Sequence, residues 1–158
     1  MSARTAALGA LFGKALGQLR TELQGYPDDQ SVWRLAPGIR NSAGTLALHV
    51  TGNFQHFIGA GLGGTGYVRD RDAEFSDRDL PREALLRRVD ETLAVVGKAL
   101  GGLDDALLEQ PFPAQVPPAL AEAATTQTVL TYIYGHFNYH LGQVNYHRRV
   151  LTGVGGEG

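Results

Sequence analysis

Four stretches of the chain repeat apolar residues at intervals of three and four, and this period constrains the fold more than any other feature. A period of 3.6 residues gathers such side chains on one face of a helix. The stretches cover residues of about 5–24, 42–62, 81–101 and 125–151. Helices with one apolar face bury it against one another, so we predict an all-α four-helix bundle. A chain of this length fits one domain, spanning 1–158.

Prolines predict how the last two helices are connected. Pro81 suits the first turn of the third helix. Four further prolines impose an extended crossover between the third and fourth helices; they are Pro111, Pro113, Pro117 and Pro118. A simple up-down bundle joins antiparallel neighbours by short loops, so this long crossover indicates a different order of helices.

The connection between the second and third helices is rich in glycine and then in charge. Gly61, Gly63 and Gly66 match the spacing Gly-x-Gly-x-x-Gly, but the dinucleotide-binding form of that motif follows a strand and opens a helix. Here a predicted helix precedes it and a charged segment follows, so we interpret the match as a flexible loop. Opposite charges alternate closely over residues 69–79, and such runs are typical of solvated segments.

Two histidines on the fourth helix predict a metal site. His136 and His140 are four residues apart, so both imidazoles project from one face, one turn apart. Catalytic metal sites usually take three protein ligands and leave positions open. His49 lies within the apolar stripe of the second helix, so packing that helix against the fourth supplies the third ligand.

The alternative is that each histidine is a core residue satisfied by a neighbouring polar group. Three inward histidines at compatible positions favour a shared ion, because burying each ring separately costs free energy. His56 lies seven residues after His49, about 10 Å further along the helix, and cannot share its ion. We therefore expect His56 and His147 to be rim or surface residues.

The residues around the predicted ligands argue against a protease. A zinc protease helix carries a glutamate directly after its first histidine, and here that position is Phe137. Gln143 lies one turn after His140 and can orient a ligand or a bound water. Asn53 shares the stripe of His49 and is a second polar candidate. The pattern assigns no catalytic residue beyond the ligands.

Composition limits the partners and the compartment. The chain has 14 Lys+Arg against 16 Asp+Glu, so it carries no electrostatic footprint for nucleic acid or an anionic membrane. Cysteine is absent, which excludes disulfides and thiolate ligands. Lys14 and Arg20 interrupt the mildly apolar N-terminus before a secretory core or membrane span forms. We expect a cytoplasmic protein with a small-molecule substrate.

These motifs together resemble the DinB/YfiT-like superfamily over nearly the whole chain. The matching segments are Leu-Ala-Leu-His49-Val, Arg69-Asp-Arg-Asp-Ala-Glu74-Phe75 with Asp79-Leu-Pro81, and His136-x-x-x-His140-x-Gly-Gln143. The resemblance implies an up-down-down-up four-helix bundle with a divalent metal held by three histidines. Carried onto this sequence, the ligands are His49, His136 and His140.

The resemblance also implies a range of functions. Members with assigned activities include metal-dependent transferases that use a low-molecular-weight thiol such as bacillithiol, mycothiol or glutathione, and this chain is most similar to the uncharacterised single-domain members. It implies nickel or zinc, with manganese or iron as alternatives, and a homodimer. We predict a metal-dependent thiol S-transferase, with Arg69 or Arg71 binding the carboxylates of the thiol. The alternatives are a hydrolase of a small amide or ester and a non-catalytic metal or small-ligand binding protein.

Overall fold

A computed structural model describes residues 2–153, and this part of the chain folds into helices without β-strands. The six α-helices are α1 (Ala3–Gln24), α2 (Ala43–Phe54), α3 (Arg71–Ser76), α4 (Arg82–Gly101), α5 (Asp105–Leu108) and α6 (Thr126–Thr152). A π-helical segment, Gln55–Ala60, continues α2. The predicted all-α class is confirmed. None of the helices within residues 2–153 combines the length and the apolar character needed to cross a bilayer.

The four long helices form a bundle in which α1 and α2 lie diagonally opposite. α1 packs on α4 and α6, and α2 packs on the same two helices. Two contacts along each helix pair show whether the two helices run parallel or antiparallel. The pairs are Phe12–Tyr134 and Glu22–Arg148 for α1 with α6, Arg20–Asp90 and Tyr26–Arg82 for α1 with α4, and His49–His140 and Phe54–Phe137 for α2 with α6. α1 and α6 therefore run one way and α2 and α4 the other, which is the up-down-down-up arrangement.

The long connection predicted between the third and fourth long helices is present as residues 102–125. It stays at the end of the bundle where α1 begins, because Asp105 accepts a hydrogen bond from Ser2 and Glu109 pairs with Arg4. The connection between α2 and α4 travels further, because these helices point the same way. Residues 61–81 run back along the bundle and contain α3, where sequence predicted only a solvated charged loop.

Serine and threonine side chains begin the helices that carry the predicted ligands. The Ser42 hydroxyl accepts a hydrogen bond from the backbone N–H of Thr45 at 3.1 Å, and the Thr125 hydroxyl accepts one from Thr128 at 3.2 Å. Each satisfies an N–H group that the first helical turn leaves without a partner. These caps lie where sequence placed the starts of the second and fourth long helices.

The sequence predicts one helix over about 42–62, and residues 55–60 of it are π-helical. The N–H groups of Gly61 and Gly63 donate to the carbonyls of His56 and Ile58, each five residues earlier. At Gly61 a β-carbon would lie 2.4 Å from the carbonyl oxygen of Phe57 and 2.9 Å from the ring of Phe112. Only glycine permits this close approach, so the widened turn depends on it.

One hydrophobic core fills the bundle and surrounds the helix turns that carry the histidines. Phe12 packs on Phe54, with ring centroids 5.0 Å apart, and Phe54 stacks on Phe137 at 4.4 Å. Trp33, from the loop before α2, lies over Gly44 and donates its indole N–H to the Leu80 carbonyl at 2.9 Å. This bond ties the loops before α2 and before α4 together at one end of the bundle.

His147 is buried, which corrects the expectation of a rim or surface position. Its side chain is 2% exposed. The Tyr26 hydroxyl donates to His147 Nδ1 at 2.6 Å, and Nε2–H donates to the Arg34 carbonyl at 2.8 Å. Burial lowers the pKa of His147 and raises the pKa of Tyr26, so the imidazole is held neutral. His147 is a structural residue that joins α6 to the loop after α1.

Metal-free protein is expected to lose stability on acidification partly through His147. In the folded protein the pKa of His147 is below the ordinary value of about 6.5. Below that pH the unfolded chain therefore binds a proton at this residue that the folded protein does not bind. The free energy of unfolding should fall by up to about 1.4 kcal/mol per pH unit from this group. Urea unfolding with a chelator, between about pH 7.5 and about pH 5, measures the slope. His147→Gln should flatten it, and equal slopes in both proteins would contradict the assignment.

Candidate metal centre

Three imidazoles from two helices converge in the groove between α2 and α6. His49 on α2 is buried, and His136 and His140 on α6 are partly buried. The Nε2 atoms of His49 and His136 are 3.0 Å apart, and one nitrogen from each of the three rings lies within 4.8 Å of the others. The rings meet edge to face, with interplanar angles of 83° to 89°. Sequence predicted this set of three, and the fold brings it together.

His49 is oriented by a buried ion pair. Its Nδ1–H donates to Glu74 Oε2 at 2.9 Å, which leaves the Nε2 lone pair facing the other two rings. Arg69 holds the same carboxylate with two hydrogen bonds, from Nε to Oε1 at 2.7 Å and from Nη2 to Oε2 at 2.9 Å. Glu74 is 4% exposed. The pair fixes the tautomer and the angle of the His49 ring.

A glycine on α2 makes room for that carboxylate. A β-carbon at Gly52 would lie 2.2 Å from Glu74 Oε1 and 2.8 Å from its Cδ. Gly52 lies one turn after His49, so the Glu74 side chain rests on the helix backbone beside the ring it contacts. Asp70 caps α3 by accepting a hydrogen bond from Ala73 at 2.9 Å, and this short helix aims Glu74 inward.

His140 is oriented in the same way by its predicted partner. Its Nδ1–H donates to Gln143 Oε1 at 2.6 Å, so its Nε2 lone pair also faces the groove. The Tyr132 ring stacks on His136 with an interplanar angle of 9° and a centroid distance of 6.3 Å. Each ring is therefore positioned by a neighbour from outside the group of three.

The electrostatics of the site keep the imidazoles of His136 and His140 neutral. Burial, the two neighbouring histidines and the Arg69 and Arg71 cations lower the pKa of His136 to about 4. Burial also lowers the pKa of His140, against the opposing effect of the Gln143 hydrogen bond. Neutral imidazole is the form that binds a metal ion. These two ligands need not lose a proton at neutral pH.

Glu74 remains an anion despite its burial. Burial by itself raises the pKa of this carboxyl, but the hydrogen bonds from His49 and Arg69 and their charges bring the pKa below its ordinary value. The Glu74 carboxylate thus places a fixed negative charge behind His49. This makes the imidazole a stronger ligand.

The remaining polar candidates occupy different environments. Asn53 is 7% exposed, and within residues 2–153 its Oδ1 atom has no hydrogen-bond partner. Arg71 is exposed and lies over the Phe75 ring at 5.1 Å, and that ring packs on His49 at 4.8 Å. His56 is partly buried beside Phe57 and lies outside the group of three. This position agrees with the prediction that His56 does not bind the same ion as His49.

Sequence reasoning missed Glu74 as a site residue. The alternating charges of residues 69–79 predicted a solvated segment, whereas Glu74 is buried and Arg69 is partly buried. A usable signal was present: metal-binding histidines commonly donate their second N–H to a carboxylate. A search for a carboxylate with an apolar residue on each side in this connection finds Glu74, between Ala73 and Phe75.

Comparison with known proteins identifies a family and a fold. The profile of a family described as "Protein of unknown function (DUF1572)" matches residues 12–154. Among solved structures, a conserved protein from Enterococcus faecalis aligns over 98% of this chain and 99% of its own, with a TM-score of 0.73 and 15% identity. At that identity the likeness concerns the fold alone. No curated protein matches the sequence.

Proposed function

Because the chain belongs to the DUF1572 family of proteins of unknown function, we infer its chemistry from the geometry of the site. We propose that His49, His136 and His140 hold one divalent metal ion. The observation that carries the proposal is the convergence of three imidazole nitrogens on one point, with the tautomers of His49 and His140 set by outside partners. We place the chain in the DinB/YfiT-like superfamily and assign it a metal-dependent thiol S-transferase activity.

The spacing of the His49 and His136 nitrogens fits a metal ion. Zinc and similar ions bind imidazole nitrogen at about 2.1 Å, so two such ligands at a right angle lie about 3.0 Å apart. The Nε2 atoms of His49 and His136 have this separation. All-imidazole ligation suits zinc, nickel, iron and copper, and of these we favour nickel or zinc. Three ligands on one side leave other positions for substrate.

The unpaired oxygen of Asn53 supports a ligand in the groove. A buried carbonyl oxygen without a partner costs free energy, so such atoms call for an explanation. Asn53 lies four residues after His49 on the same face of α2, on the side of the histidines. A water molecule bound to the ion would donate a hydrogen bond to Asn53 Oδ1.

A bound divalent ion would lower the pKa of a thiol that coordinates it, so that sulfur becomes the nucleophile at neutral pH. In the transfer, that sulfur would form a bond to an electrophilic carbon as the bond from this carbon to its leaving group breaks, and the thiol proton would pass to solvent. With an epoxide the leaving oxygen would stay attached and take up a proton from solvent. Hydrolysis would instead need a general base near the ion. Glu74, the carboxylate that reaches the histidines, is engaged by Arg69 and His49 and is not free for that role.

The cation that would bind the thiol's carboxylates is Arg71. Arg69 is already paired with Glu74 through two hydrogen bonds. Arg71 is exposed, and its position over Phe75 brings its charge close enough to lower the pKa of His136. Of the two arginines that sequence offered, Arg71 therefore remains available to a ligand.

Activity is expected only with both a metal and a thiol. Metal-loaded protein would be assayed with bacillithiol, mycothiol and glutathione against alkyl and epoxide electrophiles, and a chelator should abolish turnover. Arg71→Gln should raise KM for the thiol about two- to fivefold and leave kcat unchanged, because an exposed ion pair contributes little more. Arg78→Gln, on the same connection, is the control. Turnover that persists without metal or without thiol would reject the transferase.

A further inference from the structure

A pocket of about 500 Å³ continues the groove between α2 and α6 beyond the histidines. It lies between the loop of residues 38–41, the start of α2 and the last three turns of α6. Pockets of 300–1,000 Å³ are the usual size for small-molecule sites. Leu46 and His147, which contribute to its lining, are each 2% exposed, so the pocket reaches down to the hydrophobic core.

The lining combines one cation with apolar surface. Arg40 is exposed at the pocket, and within residues 2–153 no carboxylate lies within ion-pair distance of it. Ile39, Tyr146 and Val150 supply apolar walls, and the last two are 68% and 62% exposed. An unpaired guanidinium beside exposed apolar side chains suits a molecule with a carboxylate at one end and an apolar body.

The pocket lies one helical turn from the proposed metal ligands on both helices. Leu46 precedes His49 by three residues and Gln143 follows His140 by three, about 4.5 Å along each helix axis. Gln143 belongs to both places, because it lines the pocket and accepts the hydrogen bond from His140. A molecule in the pocket would therefore contact the group that orients His140.

From these features we propose that the pocket binds a small organic carboxylate with an aromatic or branched apolar body, its carboxylate on Arg40 and its body against Tyr146 and Val150. Resting on the proposed function, this occupant is the electrophilic substrate of the metal centre, whose reactive end extends past Gln143 toward the histidines. The binding itself depends on the pocket alone and not on the ion.

The test uses 4-phenylbutyrate as the probe and 4-phenylbutan-1-ol as the matched neutral molecule. Amide chemical shifts of the full-length protein would be followed during titration of both the metal-loaded and the chelator-treated forms. We expect saturable binding of the carboxylate with a Kd of about 1 mM or tighter. The shifts should centre on Gly38, Gln143 and Tyr146. Arg40→Gln should weaken binding about two- to fivefold, because an exposed ion pair contributes little more, and the alcohol should bind the wild type no better than the acid binds this variant.

Two further variants make the outcome decisive. Arg87→Gln removes an exposed arginine from α4, which lies diagonally across from α6, and should leave the Kd unchanged. Tyr146→Ala should weaken the binding of both the acid and the alcohol. The proposed carboxylate site would be rejected by unsaturable binding, by amide shift changes centred elsewhere, or by equal affinity of the wild type and Arg40→Gln for 4-phenylbutyrate. Metal analysis of the same samples tests the proposed function separately: pocket binding by a protein that never retains metal would reject the metal centre and keep the carboxylate site.

Discussion

Replacing His49 with alanine is expected to abolish stoichiometric metal binding. His49 is the ligand from α2, its Nε2 atom lies 3.0 Å from that of His136, and Glu74 sets its tautomer. Loss of a partner behind a metal ligand costs roughly 10–100-fold in affinity, and loss of the ligand itself should cost more. Elemental analysis after dialysis against nickel or zinc measures the occupancy. At a free metal concentration of 100 Kd, binding should raise the free energy of unfolding of the wild type by about 2.7 kcal/mol. The variant should show no such increase.

Two companion variants separate a lost ligand from a damaged fold. His140→Ala removes a ligand that is only partly buried, so the fold should tolerate the change while metal binding falls as it does for His49→Ala. His56→Ala removes a histidine from the π-helical segment, seven residues beyond His49, and should retain full occupancy. Circular dichroism and thermal unfolding in a chelator check that all three proteins fold. Full occupancy in His49→Ala and His140→Ala would refute the three-histidine site.

Gly52→Ala is expected to destabilise the protein, although the same change in a helix interior ordinarily stabilises by about 0.5–1 kcal/mol. The new β-carbon would lie 2.2 Å from Glu74 Oε1, so the buried carboxylate has to move away from α2. That movement breaks its bonds with His49 and Arg69 and leaves buried charge poorly paired. We expect a loss of about 2–4 kcal/mol in the free energy of unfolding and a roughly 10–100-fold loss in metal affinity.

Gly97→Ala is the matched control for this substitution. Gly97 is an exposed residue inside α4, and a β-carbon there would meet nothing within 4 Å. It should therefore show the ordinary gain in stability and unchanged metal affinity. Urea unfolding in a chelator and metal titration of each variant give the two quantities. A stabilised Gly52→Ala with normal metal affinity would show that Glu74 does not support His49 as described.

The long helices and the three histidines could be predicted because their signals are local. The recurrence of Phe12, Leu16 and Leu19 every three or four residues defines a buried helix face without knowledge of its partner. The spacing of His136 and His140 likewise fixes their common face. The π-helical segment was not predictable in this way. It depends on the approach of Gly61 to Phe112, which lies 51 residues further along the chain.

By itself, then, the sequence determined the helical class, the faces that pack together and the three rings offered to a shared ion. Only the tertiary structure decided what lies behind those rings. Glu74 became the partner of His49, Arg69 became the partner of Glu74, and His147 became a buried structural residue. The reason is physical: periodicity follows from backbone geometry over a few residues, whereas the position of a loop carboxylate depends on the whole bundle against which residues 61–81 fold.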